Sequence, residues 1–444
     1  MKTTCVIGGG LTGLIHAWRA HKSGDSVTVF ESGECTGGVL QSKNLDGYLL
    51  DYGANTLNLR SKDVADIMEE LGILGHAIEA NQEANLRFIV RDGRLVSLPH
   101  DFSSFLTSSF LSPLGKLRLL CEPFIAKGKK KDETVADFIS RRLGKEALTY
   151  AGNPFLSGIY AAKPESLSLP HAFPGLQELE QVHGSVFKGM IKSKKNPNRL
   201  PKTRLISFPQ GMQELPSHIS NQLPDNSIRL QSKVLKIEKR ENKWRVVTQG
   251  DDSSKGEVIF DRVICSIPAH QLMSIDWNGL HKKELIEHLA DAKHYPLALV
   301  YHGYEKENIS HPLNGFGFLV PAVEKRKILG TLFSSTIFPG RAPKNKVLLT
   351  TFVGGERQPE LTEWEDEKIH NMVKDEHTDL LGTSKNPSFK KIIRWPKAIP
   401  LPDQSMQTRK QAALKLEEQN PGLIFTGSHL CGPPLPSCLQ ADMV

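Results

Sequence analysis

Cys5-Val6-Ile7 is an unbroken apolar stretch between polar Thr3-Thr4 and Gly8-Gly9-Gly10. Apolar residues then recur at helical spacing in Leu11, Leu14, Ile15 and Trp18. This predicts a buried strand over 3–7 and a helix over 11–21. A second strand follows over 26–30 and ends in the acid Glu31. Far along the chain the pattern resumes: a helix over 213–222, and short strands over 227–230 and 234–240. Residues 243–248 alternate as a half-buried strand, and 261–266 form a buried one ending at Pro268. These segments are expected to return to the sheet begun at residue 3. Another buried strand spans 423–427, and a proline-fixed loop then leads into a helix capped by Ser437. Residues 86–98 read as a hairpin. Strands alternating with helices give an α/β fold.

The turn after the first strand carries Gly8, Gly10 and Gly13 as Gly-x-Gly-x-x-Gly, with Glu31 closing the next strand. A dinucleotide needs this order. The first glycine makes the tight turn, the second admits the pyrophosphate, and the third lets helix and strand pack closely. The phosphates then meet the helix N-terminus. Glu31 is placed to accept hydrogen bonds from the adenosine ribose, and its charge repels a 2′-phosphate. FAD and NAD both fit this much. A second glycine pair, Gly37-Gly38, follows soon after, then Gly47-Tyr48 and Asp51-Tyr52-Gly53-Ala54.

A chain of 444 residues accommodates two or three packed units around a large pocket. With 39% hydrophobic and 24% charged residues, its composition is that of a soluble globular protein. No stretch approaches the roughly 20 apolar residues of a membrane-spanning helix. The first strand begins almost at Met1, which argues against a signal peptide and for a cytoplasmic location. The six cysteines are scattered without metal-ligand spacing, so no metal site is expected and reduced thiols are. A net charge of +7 suits an anionic substrate or an anionic lipid surface and does not argue for nucleic acid.

The glycine-lined segment after Glu31 resembles that of FAD enzymes of the amine-oxidase and porphyrinogen-oxidase kind, which favours FAD over NAD. Cys35 stands where that family commonly has arginine. The middle of the chain is more specific. Asn153-Pro154-Phe155-Leu156-Ser157-Gly158-Ile159-Tyr160-Ala161 runs into Pro164-Glu165-Ser166-Leu167-Ser168-Leu169, then His171-Ala172-Phe173-Pro174 and His183-Gly184-Ser185. This order closely resembles the protoporphyrinogen oxidase family of oxygen-dependent flavoenzymes. Leu86-Arg87-Phe88, 208–215, 263–268, 315–321, Gly354-Gly355 and 427–438 extend the likeness along the whole chain. Amine oxidases and carotenoid desaturases share the nucleotide motif but lack the 154–174 block.

The resemblance implies an FAD-binding Rossmann-like domain of the glutathione-reductase/amine-oxidase type over 1–85, 205–270 and 390–444. It implies a β-sheet substrate domain over 86–100 and 271–389, and a helical membrane-contacting segment over 101–204. By the same resemblance FAD is held by Gly8, Gly10, Leu11, Thr12 and Gly13, and by Glu31 and Ser32. Gly37, Gly38, Val39, Gly53 and Ala54 flank it, Val234 meets the adenine, and Gly427, Gly432, Pro434 and Cys438 close the far side. Arg87 is expected to face a propionate, where its planar fork suits a carboxylate. Phe316 and Leu319 sandwich a pyrrole ring, Gly158 leaves room beside the macrocycle, and Phe352 completes the pocket.

The implied chemistry is oxidation of protoporphyrinogen IX by O2, releasing hydrogen peroxide, with the flavin carrying the electrons. Coproporphyrinogen III is the nearest alternative substrate, and a flavin-binding scaffold without turnover is the alternative of another class. No acid–base residue is assigned; His171, His183, His294 and His429 qualify by type alone. The implied partners are the tetrapyrrole, O2, an anionic membrane surface on the cytoplasmic side, and a second copy in a homodimer. Residues 101–126 are rich in Phe and Leu, and Lys127-Gly128-Lys129-Lys130-Lys131 follows at once, which suits docking on anionic lipid. A buried helical pair with a solvated lysine loop is the other reading of that segment. Lys192, Lys194 and Lys195 read as an exposed loop, and the last helix is expected to be short for this family.

Overall fold

The computed structural model describes residues 1–128, 130, 132–193, 198–250 and 255–441. Five parallel strands form the nucleotide-side sheet, in the order Ile228–Arg229, Ser26–Phe30, Thr3–Ile7, Arg262–Cys265 and Leu423–Phe425. Val6 lies opposite Val29 on one neighbour and Ile264 on the other. Alternate side chains point to opposite faces of the strand. Val6 and Val29 therefore meet Leu14, Ile15 and Trp18 of the helix Leu11–Lys22, while Cys5 and Ile7 face Trp244 and Trp277 on the other side.

The strands Lys233–Arg240 and Lys243–Gln249 do not join this sheet, contrary to expectation. They pair antiparallel with each other, and Lys255–Phe260 and Asp276–Asn278 complete a separate four-stranded sheet. The physical reason lies in their alternation. A strand inside a covered parallel sheet must be apolar on both faces. Here only one face is, and Ile237, Trp244 and Val246 lay it against the Cys5 side of the central sheet.

The substrate-side sheet has seven strands, in the order Phe389–Trp395, Leu297–Glu305, Lys346–Gly354, Gly330–Leu332, Gly315–Leu319, Leu86–Arg91 and Arg94–Ser97. The hairpin thus joins a sheet otherwise built some two hundred residues later, with Phe88 opposite Phe318 in a parallel pairing. Val300 and Tyr304 pack outward against Ile369 and Val373 of the helix Asp366–Leu381. Leu297 and Leu299 point the other way, into a cavity.

Two expected domain boundaries move later. Strand Phe389–Trp395 belongs to the substrate sheet, so 390–395 are not part of the FAD unit. Strand Asp276–Asn278 and helix Leu285–Ala290 pack with the nucleotide unit, so the substrate unit does not resume at 271.

The helical segment is tied by buried charge. Arg142 and Glu122 form a fully buried ion pair. Glu122 also accepts from Ser185 Oγ at 2.5 Å and from the Val186 N–H at 2.9 Å. Arg141 bridges Glu133 and Glu180, each at 2.8 Å. Outside this knot the helices Phe102–Thr107, Pro113–Leu120 and Val186–Ser193 leave large apolar side chains in the open. Lys129 and Lys131 of the basic run lie outside the described residues, as do Lys194, Lys195, and 442–444 of the terminal segment.

The final described helix is Leu435–Leu439, with Pro434 as its cap residue. Ser437 therefore sits inside it and does not cap it. Pro436 in its first turn fixes a helical φ and starts the helix earlier.

Candidate functional site

The cradle begins where the central strand ends. Gly8 adopts φ +99°, a conformation that favours glycine. A Cβ on Gly13 would lie 2.0 Å from the Gly8 carbonyl oxygen and 2.4 Å from Ser266 Oγ, so the helix sits directly on the strand. A Cβ on Gly10 would meet nothing within 4 Å, because that position opens onto the cavity. Leu11 and Thr12, in the helix's first turn, line the same opening. N–H groups in such a turn have no intrahelical acceptor.

Glu31 closes the second strand. Its Oε2 accepts the Gly9 N–H and its Oε1 the Gly33 N–H, both at 2.7 Å. Ser32 Oγ also donates to Oε1 at 3.4 Å, so the carboxylate is locked at the cavity wall with a second lone pair left on Oε2. The Gly37 N–H donates to the Gly9 carbonyl at 2.8 Å and draws the second glycine pair against the first loop. A Cβ on Gly53 would lie 2.2 Å from the Val39 carbonyl oxygen. Asp51, by contrast, is structural. It is buried, 3.3 Å from Arg341, and accepts from Ser42 Oγ and the Met212 N–H.

From this cradle a continuous cavity of about 1480 Å³ runs to the seven-stranded sheet. Ser32, Gly38, Ala54 and Val234 line its nucleotide end, with Gly427, Pro434 and Cys438 across from them. Arg87, Gly158, Phe316, Leu319 and Phe352 line the other end. Gly13 and Gly432 do not line it. Gly13 is the packing point behind the loop, and Gly432, at φ +96°, turns the chain.

At the substrate end, Leu319 Cδ2 lies where a Gly158 Cβ would come within 2.7 Å, so the glycine sets the width of that slot. The Arg87 guanidinium covers the Phe316 ring at 5.1 Å and donates to the Asn85 carbonyl at 3.2 Å. Among the described residues Arg87 forms no ion pair. Arg87 is exposed, and partial desolvation against its apolar neighbours draws its pKa down.

Two cavity-lining histidines escaped the sequence reading of roles. His270 was not singled out, and His429 was named by type alone. His270 Nδ1 and His429 Nε2 are buried without a protein partner. Burial, then the charges of Arg409, His294 and His270, push His429 down to about 3, so it is neutral at physiological pH. Unpartnered buried polar atoms carry a cost unless a ligand or water meets them. His270 follows Pro268 at the C-terminal end of a buried parallel strand, where such folds gather ligand contacts. That position was the available signal. The open glycine cradle, the locked acid and these two imidazoles fit a dinucleotide with an attached polar ring system.

The family model for flavin containing amine oxidoreductases matches residues 11–435. A mitochondrial protoporphyrinogen oxidase of Nicotiana tabacum is 35% identical over 477 residues, covering 100% of this chain and 94% of that relative. A coproporphyrinogen III oxidase of Staphylococcus aureus is 26% identical over 468 residues, covering 100% and 98%. A crystal structure from Exiguobacterium sp. 255-15 shares the fold, with TM-score 0.81 at 23% identity, covering 99% of this chain and 96% of that one.

Proposed function

The chain belongs to the flavin containing amine oxidoreductase family, and from that premise we propose that it is an FAD-dependent porphyrinogen oxidase of haem biosynthesis. The observation that carries this reading is the single cavity joining the glycine cradle to a broad apolar chamber with an unpaired arginine in its wall. FAD, when bound, supplies the two-electron acceptor that passes electrons on to O2 and yields hydrogen peroxide.

The chain's own residues bind and orient. Gly8, Gly10, Leu11 and Thr12 receive the pyrophosphate, and Glu31 the ribose. Phe316, Leu319 and Phe352 offer the flat apolar walls that a tetrapyrrole needs, and Gly158 keeps the slot open. Arg87 grips a propionate through its fork. Among the described lining residues, Glu31 and Glu34 are the acids, and both stand at the nucleotide end, so no carboxylate general base faces the substrate.

We assign protoporphyrinogen as the preferred substrate. Arg87 is the one arginine or lysine lining the substrate end among the described residues, with Lys233 beside Val234 at the other end. Two propionates need fewer cations than the four of coproporphyrinogen. The test is aerobic incubation of the yellow protein with each porphyrinogen, following porphyrin fluorescence and peroxide. Fluorescence with protoporphyrinogen first supports the assignment. Faster turnover of coproporphyrinogen reverses it, and a yellow protein inert to both is the scaffold.

The helical segment supports a further element of this proposal, docking on an anionic membrane surface from the cytoplasmic side. Leu114 is 78% exposed, Phe124 87% and Ile191 70%. Lys116, Lys127 and Lys188 stand among them. Among the described residues no helix is long and apolar enough to cross a membrane, so contact would be from one side. Sedimentation with anionic vesicles that Leu114→Asp and Phe124→Asp abolish supports docking; equal sedimentation with neutral vesicles refutes the electrostatic part.

A further inference from the structure

We propose that Cys431 and Cys438 are a peroxide-oxidised dithiol at the cofactor end of the cavity, closing to a disulfide when hydrogen peroxide accumulates. The source of that peroxide rests on the oxidase reading above; the thiol chemistry does not.

Cys431 ends the short helix Ser428–Cys431 and Cys438 lies in Leu435–Leu439. Gly432, at φ +96°, folds the chain back between them. The two sulfurs come to 3.9 Å, with the Cys431 S–H donating to Cys438 Sγ. Both thiols also reach the Gly432 carbonyl, at 3.5 and 3.6 Å. Cys438 lines the cavity in which the oxidase would generate its product.

The other cysteines are differently placed. Cys5 and Cys265 are buried in the central sheet, where burial raises both thiols, Cys265 to about 12, and keeps them inert. Cys35 and Cys121 are exposed. Cys438 is shifted the opposite way, because the Cys431 thiol and then the Thr12 hydroxyl donate to its sulfur and outweigh burial. Cys438 lines the cavity and Cys431 does not, so Cys438 is the attacking sulfur and Cys431 the resolving one.

The steps balance without another reagent. The Cys438 sulfur attacks one peroxide oxygen, the O–O bond breaks, and the departing hydroxide takes the thiol's proton, giving a sulfenic acid and one water. The Cys431 sulfur then displaces the sulfenic hydroxyl, which leaves with the Cys431 proton as a second water. Two thiols are oxidised to one disulfide and one peroxide is reduced to two waters. Closure requires the sulfurs to approach from 3.9 Å to about 2.05 Å. That movement withdraws Cys438 from Thr12, in the first turn of the helix that receives the cofactor. The oxidised protein is expected to release FAD faster, so that product accumulation limits cofactor retention.

The test uses FAD-loaded full-length protein treated with added hydrogen peroxide, then alkylated, digested and mapped by mass. The expected result is a 431–438 cross-link, two mass units lighter than the dithiol and reversed by dithiothreitol, together with faster appearance of FAD in ultrafiltrates. Cys431→Ser should stop at a dimedone-trapped sulfenic acid on Cys438 and lose the faster release. Alkylation of both cysteines after a dose that oxidises Cys35 overturns the dithiol. A cross-link with unchanged FAD release overturns the coupling to the cofactor. Because peroxide is added, a protein that cross-links yet turns over no porphyrinogen refutes the oxidase reading and leaves the dithiol standing.

Discussion

Replacing Arg87 by alanine removes the one arginine or lysine at the substrate end of the cavity among the described residues. Its guanidinium spends one N–H on the Asn85 carbonyl and rests on Phe316, which leaves most of the fork free for a carboxylate. Partial desolvation lowers its pKa, yet an arginine starts so far above neutrality that it stays charged. Hydrogen bonds to a charged group contribute about 1.5–3 kcal/mol, which at about 1.4 kcal/mol per decade is on the order of a ten- to hundredfold change. The propionate is held alike in ground and transition state, so the loss should fall on KM and leave kcat within about twofold. Arg87→Lys keeps the charge without the fork and should fall between. The fold should barely respond, because the contact with Phe316 contributes about 0.5–1 kcal/mol. Initial rates of porphyrin fluorescence over a range of protoporphyrinogen concentrations separate the two parameters. An unchanged KM in Arg87→Ala refutes the reasoning, and so does a kcat loss with KM intact.

Three other outcomes follow from the packing. Gly13→Ala places a methyl 2.0 Å from the Gly8 carbonyl oxygen, so the purified variant should lose its yellow colour and melt lower, by at least the ~1–3 kcal/mol of ordinary overpacking. Glu122→Ala removes the nearer of Arg142's two buried partners, leaving Glu180 at 3.5 Å, and takes the acceptor from Ser185 and Val186; it should cost up to about 3–5 kcal/mol, read as a lower urea midpoint. Burial raises Glu417 from 4.5 to about 7, despite its bond from the Phe425 N–H. Between those values the native state holds more protons than the unfolded one, so this group's contribution is present below pH 4.5 and lost as pH rises through 7. Glu417→Gln keeps an acceptor for Phe425 and should be relatively more stable at pH 8 than at pH 5; a pH-independent difference in melting temperature contradicts this.

Legibility in the sequence tracked locality. The strand at 3–7, its glycine turn and the strand at 26–30 were readable because turn, helix and acid lie within about thirty residues and each has its own steric reason. The hairpin at 86–98 was readable for the same reason. The partners of a strand were not. Residues 233–249 alternate like any half-buried hairpin, and nothing local says that they form a second layer. Phe389–Trp395 gave no local sign of lying beside Leu297–Gly303. In the site, glycines and Arg87 were found through motifs, whereas His270 and His429 gain meaning only once two distant loops meet across the cavity. The Ser437 cap failed on competition between signals, since Pro436 sets a helical φ one residue sooner.

The strand Leu423–Phe425 completes the same parallel sheet that Thr3–Ile7 begins. During synthesis the glycine turn at Gly8 precedes the strand Leu423–Phe425 by about four hundred residues, so its platform lacks an edge until that strand has left the ribosome. Strand Arg262–Cys265, paired with Thr3–Ile7 on one side, must therefore wait with its other edge open for the later strand. Truncations upstream of 423 should yield insoluble chains instead of a smaller flavoprotein, and chaperone demand during translation should be high.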